Sequence, residues 1–214
     1  MTETTAAASR RRLLLAAAAG APLLASRPAR AQMDVARATA FIQQTGDQMV
    51  AAINSGAPAA QRREQVVALV RRAVDIEGVG RFVLGRFWRQ ATAQEQAEYL
   101  RLFEETLVRN LAARFGEFQG VRFSLGRSQQ RTEDDALVST IVERPGSPPV
   151  SLDWRVAETP QGPRVVDLVA EGTSLRLTQR SEYSAVVTRN GGRVSALLDA
   201  MRGQVANLAA REGR

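Results

Sequence analysis

The chain has 214 residues with 29 basic and 22 acidic side chains, a net charge of +7, no histidine and no cysteine. That composition excludes Cys/His nucleophilic machinery, ordinary zinc sites and any disulfide framework. Only carboxylate-based or hydroxyl-based chemistry remains open.

The chain opens with a basic run, Ser9-Arg10-Arg11-Arg12, followed by an apolar stretch from Leu13 to Ala25. Ala29-Arg30-Ala31 then fits the small-x-small rule for cleavage, so residues 1–31 read as an export signal and residues 32–214 as a single mature domain. The apolar stretch is too short to cross a bilayer core of about 30 Å as a helix. Consecutive arginines ahead of it suit the twin-arginine route. The signal holds five arginines and one glutamate, so its removal lowers the net charge from +7 to +3. All basic residues are arginine, and this small excess is not the concentrated patch that nucleic-acid binding needs.

Val35, Ala38, Ile42, Met49 and Ile53 recur at helical spacing and predict a helix over Asp34 to Asn54. Val66, Leu69, Val70 and Ala73 predict a second, and short helical turns follow at Asp75–Gly80 and Phe82–Trp88. Thr92-Ala93-Gln94-Glu95 is a capping box. It opens a helix with Leu100, Phe103, Leu107, Leu111 and Phe115 in one apolar stripe, and Gly116 is placed to stop it.

After Gly120 the period changes to two. Val121, Phe123 and Leu125 alternate with polar residues, and further strands are predicted over Ala136–Glu143, Val150–Val156 and Arg164–Ala170. Turn signals at 145–149 and 160–163 separate them. A helix is predicted to open at Thr178 and end at Asn190-Gly191-Gly192, and a last one carries Val194 to Leu208. The order predicts an α+β fold: an antiparallel sheet of about four strands with helices on one face.

Taken alone, the helical stripe and the alternating strand residues read as ordinary core. Asp167 stands among apolar residues on a strand, which raises a paired-carboxylate site with Glu171 as one alternative. Alternation puts it on the face opposite Val166, Leu168 and Ala170, so an ion pair with an arginine such as Arg155 or Arg180 is the plainer reading. Trp88 and Trp154 read as core anchors.

Several pieces in order resemble the MlaC family, the toluene-tolerance auxiliary proteins. They are Gly85-Arg86-Phe87-Trp88, the capped helix with Gln96 and Phe103, Trp154-Arg155-Val156, the run from Asp167 through Leu175, and Arg180-Ser181-Glu182-Tyr183. The resemblance implies a strongly curved sheet, an NTF2-like cone, with an apolar pocket between sheet and helices. It implies a periplasmic phospholipid carrier with no enzymatic activity and no cofactor other than its lipid cargo. Its partners would be an inner-membrane ABC transporter with an MCE-domain protein and an outer-membrane lipoprotein–porin complex, and its role the maintenance of outer-membrane lipid asymmetry.

The side chains that spacing aims toward such a pocket are Phe103, Leu107 and Leu111 on the helix. On the strands they are Val138, Val142, Leu152, Trp154, Val156, Val166 and Leu168. Arg86, Arg89 and Arg180 flank the motifs and are candidates for head-group or partner contact. A hopanoid cargo, as in a related branch, and a small NTF2-like isomerase using Asp167 are the alternatives.

Overall fold

A computed structural model describes residues 33–116 and 119–212, with the side chains of 112–116 and 212 outside the described set. The expected export signal, its cleavage site and the Phe115 end of the helical stripe lie outside the described residues.

Asp34 caps the first helix, α1 (Val35–Asn54), by accepting from the Ala36 amide at 3.2 Å. Helix α2 (Ala59–Ala73) follows after Pro58. Asp75 caps α3 (Ile76–Leu84) through the Gly78 amide at 3.0 Å. Gly85 ends α3 with φ +58, a left-handed conformation that glycine adopts without the usual penalty. One stretch of 3-10 helix, Gly85–Arg89, leads to α4 (Ala93–Gly116). The capping box forms as read: the Thr92 hydroxyl accepts from the Glu95 amide at 3.2 Å, and the Glu95 carboxylate accepts from the Thr92 amide at 2.9 Å.

The sheet is an antiparallel meander of five strands in chain order: β1 (Arg122–Thr132), β2 (Asp135–Arg144), β3 (Ser147–Thr159), β4 (Gly162–Ala170) and β5 (Thr173–Ser174). It is curved, as expected, and two-residue β5 adds a short edge to the four strands read from sequence. Pro148 and Pro149 fall inside β3 rather than in a turn. They lie where the β2–β3 register slips and before β3 first pairs with β4 at Leu152, so the ladder loses little by their missing amides. Glu171 and Gly172 both have positive φ, +49 and +77, the twist that a tight β4–β5 hairpin requires.

Helix α5 (Leu175–Arg189) begins three residues before Thr178, because Ser174 is the cap and accepts from the Leu177 amide at 3.2 Å. Helix α6 (Val194–Glu212) is the last described element.

The buried residues form three clusters. One is wholly helical and joins α3, the 3-10 stretch, the first half of α4, α5 and α6. A second seats α1 on the sheet, and a third joins the end of α1 to α2, α4 and Val121. Tyr99 is the hub of the helical cluster. Its ring stacks on Phe103 at 5.8 Å, meets Trp88 and Tyr183 edge-on, and its hydroxyl donates to the Gly80 carbonyl at 2.9 Å. Burial pushes the Tyr99 hydroxyl far above its ordinary range, so it acts as a fixed donor. Replacing Tyr99 with Phe keeps the packing and removes one buried hydrogen bond. The expected loss is about 1–2 kcal/mol, read as a lower denaturant midpoint with unchanged slope.

Candidate functional site

One face of the sheet faces the helices. In register it carries Phe123 and Leu125 on β1, Ala136, Val138, Thr140 and Val142 on β2, Val150, Leu152, Trp154 and Val156 on β3, and Leu168 and Ala170 on β4. Helix α1 covers only part of this face. Under it, Ala136, Val138 and Val156 are each 0 % exposed, packed with Met33, Ala38 and Ile42. Trp154 is half-buried at the border of this cluster, and beyond it Val142, Val150, Leu152 and Leu168 are only half-buried.

Helix α4 does not close the remainder. Among the described residues it packs on α2, α3 and α6, and its packing on any strand is slight. Among the described side chains, apolar groups of α4 and the sheet meet at one place, where Val108 and Leu111 join Val121 and Val142. Leu107 of α4, Leu152 and Leu168 are half-buried and belong to none of the three described clusters. These are large apolar side chains without full cover.

The polar groups on this face are satisfied internally. Thr140 is fully buried; its hydroxyl accepts from the Trp154 indole N–H at 2.8 Å and donates to the Leu152 carbonyl at 3.3 Å. What remains offers hydrocarbon and no directional chemistry.

The expected lining residues therefore fall into distinct places. Leu107, Leu111, Val142, Leu152, Trp154 and Leu168 are half-buried on the facing surfaces. Val138 and Val156 form packed wall beneath α1. Phe103 is buried against Tyr99 in the helical cluster. Val166 is the extra residue of a bulge, where Arg155 pairs with Asp167 and Val156 with Val165.

Two open clefts have a different character. One of about 360 Å³ lies between α2 and α4 and is lined by Arg63, Val67, Arg71, Arg101, Glu104, Glu105, Val108 and Arg109. Ion pairs cross it or run along it, Arg71 to Glu104 at 2.7 Å and Arg101 to Glu105 at 3.1 Å. The other, about 470 Å³, is rimmed by Arg122, Glu143 and Arg144. Charged walls of this kind are poor hosts for an acyl chain.

Asp167 pairs in register with Arg155, on the face opposite Trp154 and Leu168. It is 7 % exposed, and its carboxylate is occupied: the Ser174 hydroxyl donates at 2.7 Å, the Arg176 amide at 3.2 Å, and the Arg176 guanidinium lies at 3.3 Å. Its arginine is thus Arg176 rather than Arg155 or Arg180. Arg155 instead binds the buried Asp135, with Arg131 at 3.7 Å.

The two arginine motifs come together around the end of α3. The Arg176 and Arg180 guanidiniums lie 4.2 and 4.8 Å from the Phe82 ring, and that of Arg180 also rests against Gly85, where an added Cβ would sit 3.0 Å from it. Arg86 is exposed and lies over Phe87 at 4.8 Å; Arg89 is exposed. Arg86, Arg89 and Arg180 have no acidic partner among the described residues. Burial and the Glu182 charge push the neighbouring Tyr183 hydroxyl up to about 12. Among the described residues there is no metal-capable acidic cluster and no helix long and apolar enough to cross a membrane.

The sequence profile of the MlaC protein family matches residues 43–203. The chain belongs to the MlaC family. It is also similar to a solved structure, the phospholipid-binding protein from Ralstonia solanacearum in complex with a phospholipid. The two are 27 % identical, with a TM-score of 0.71 over 80 % of this chain and 98 % of that one. In this MlaC-family chain the motif around Asp167 works as a fastener between β4 and α5.

Burial is the largest influence on Asp167 and raises its pKa, opposed by the Ser174 hydroxyl, a backbone hydrogen bond and the charges of Arg155 and Arg131. A carboxyl raised in the folded state contributes stability that is present below its unfolded pKa and lost as pH rises through the folded value. The difference in stability between the parent and an Asp167→Asn variant should therefore move in the parent's favour as pH falls from about 7 to about 4. Chemical denaturation of both proteins across that range measures it; an opposite trend would contradict the assignment.

Proposed function

We propose that this chain is a periplasmic phospholipid carrier that holds acyl chains between the uncovered apolar part of the sheet and α4. The observation that carries the reading is the set of half-buried side chains, Leu107 on one side and Leu152 and Leu168 on the other, that belong to none of the three described apolar clusters. In its favour stand the family membership and the phospholipid in the Ralstonia solanacearum relative.

The energetics set the requirement. Each methylene kept from water is worth about 0.8 kcal/mol, so a sixteen-carbon chain left wet costs on the order of 12 kcal/mol. A carrier has to hide most of that to take lipid from a bilayer. The lining in this reading is Leu107, Leu111, Val142, Leu152, Trp154 and Leu168. Val138, Val156 and Phe103 support it from behind, and Val166 shapes β4 beside it. The head group stays toward solvent and the protein performs no covalent chemistry.

In this role residues 1–31 direct export. The carrier passes lipid between an inner-membrane ABC transporter with an MCE-domain protein and an outer-membrane lipoprotein–porin complex, sustaining outer-membrane lipid asymmetry.

Native mass spectrometry of the freshly purified protein tests the cargo. A two-tailed lipid is expected, and a Leu152→Asp variant should lose it while keeping its circular dichroism. A small polar metabolite, or lipid retained unchanged by the variant, contradicts the reading. Val138→Asp should behave differently: with no solvent-facing surface, it should unfold the protein, at a cost of several kcal/mol.

A further inference from the structure

We propose that the corner formed by the start of α5 and the 3-10 stretch Gly85–Arg89 is a docking surface for an anionic bilayer. The inference goes beyond the cargo reading, which concerns the opposite matter of what lies inside.

Two observations meet there. Among the described residues, three large apolar side chains are exposed, and two of them are Leu175 and Leu177 in the first turn of α5, at 48 % and 55 %. The third, Ile141, lies in the middle of β2. Exposed leucines singly mean little, but these two crown the start of α5, on opposite flanks of its first turn, and helical side chains lean toward the N-terminus. Beside them stand Arg86, Arg89 and Arg180, which lack acidic partners among the described residues. Arg180 lies one turn beyond Leu177 on α5, and its guanidinium sits against Gly85, next to Arg86. The first turn of α5 contains no acid. Of the acids close by, Asp167 is held by Arg176 and Ser174, Glu77 by Arg81, and Glu182 accepts from Gln179. Glu77, Glu171 and Glu182 are exposed, and Glu171 lies in the hairpin that precedes α5.

The chemistry fits a lipid surface better than a polar solute. Leucines enter the boundary between head groups and acyl chains, while guanidiniums bind phosphate oxygens with paired N–H donors. Each arginine near an anionic leaflet adds about a fivefold gain in binding, and two leucines add a comparable apolar term. The sum is a weak, reversible attachment, as a carrier that must leave again requires. This first turn is rigidly mounted, because Ser174 caps α5 and is itself bonded to buried Asp167.

Flotation of the lipid-loaded protein with vesicles of phosphatidylglycerol and phosphatidylethanolamine tests the proposal. The parent should float with them, and binding should fall on raising salt to about 1 M, where charges are screened within about 3 Å. Leu175→Ser/Leu177→Ser should reduce binding about tenfold, and Arg86→Glu/Arg89→Glu at least about 25-fold. The leucine double variant should keep its lipid, because both side chains are exposed and lie outside the acyl lining. No flotation of the parent, equal binding to vesicles of phosphatidylcholine alone, or unchanged binding of the leucine variant would overturn it. So would a leucine variant that floats normally but no longer exchanges lipid with a partner protein, which would assign the corner to a protein. Lipid missing from the purified parent would sink the cargo reading and leave this test intact.

Discussion

The position of α4 is the constraint on which the rest of the molecule depends. It is tied to helices on several sides: to α3 by the Tyr99 hydroxyl on the Gly80 carbonyl, to α2 by Glu104 with Arg71, and to α6 by Glu98 with Arg202. Its first half is consumed by the helical cluster. Committed in this way, α4 meets the sheet, among the described side chains, only where Val108 and Leu111 join Val121 and Val142. Apolar area is left half-covered, and each Å² of it in water costs about 25 cal/mol. A hydrocarbon guest would supply the missing cover.

The sheet is built to tolerate that guest. Its own polar side chains are paired, Trp154 to Thr140 and Thr140 to the backbone, so a lipid chain entering would strand no hydrogen-bonding group. Apart from Glu158, which pairs with Arg37 of α1, the charged residues of β3 and β4 are turned to the other face. There Asp135 and Asp167 are buried with Arg155 and Arg176, and that network fastens β4 to α5. Separation of charge from hydrocarbon across one sheet follows directly from strand alternation.

That alternation made the fold legible in the sequence. Val150, Leu152, Trp154 and Val156 stand on one face as read, and the capping box at Thr92 opens α4 where it should. Alternation tells which face a residue joins and not what lies over it. Leu152 and Val156 are equivalent by pattern, yet α1 seals one and leaves the other half-open. Phe103 was grouped with Leu107 by helical spacing, but the stripe on α4 turns between neighbours, and Tyr99 draws Phe103 into the helical cluster.

Other departures have equally local causes. β1 continues through Ser128-Gln129-Gln130-Arg131, a polar run that carries no apolar period because it forms an edge of the sheet. α5 starts early because Ser174 serves at once as helix cap and as donor to Asp167. The arginine corner was visible as two motifs far apart in sequence; only the packing of α5 on the 3-10 stretch, with Arg180 against Gly85, brings them together.

A natural absence makes the central claim directly measurable: the chain contains no cysteine. Leu107→Cys, Leu152→Cys and Val138→Cys each introduce a single thiol, to be labelled with a small maleimide before and after lipid is extracted. If a lipid fills the space between α4 and the sheet, the thiols at 107 and 152 react slowly in the loaded protein and rapidly in the stripped one, while that at 138 stays protected in both. Equal reactivity at 107 and 152 with and without lipid would mean that no guest occupies that space.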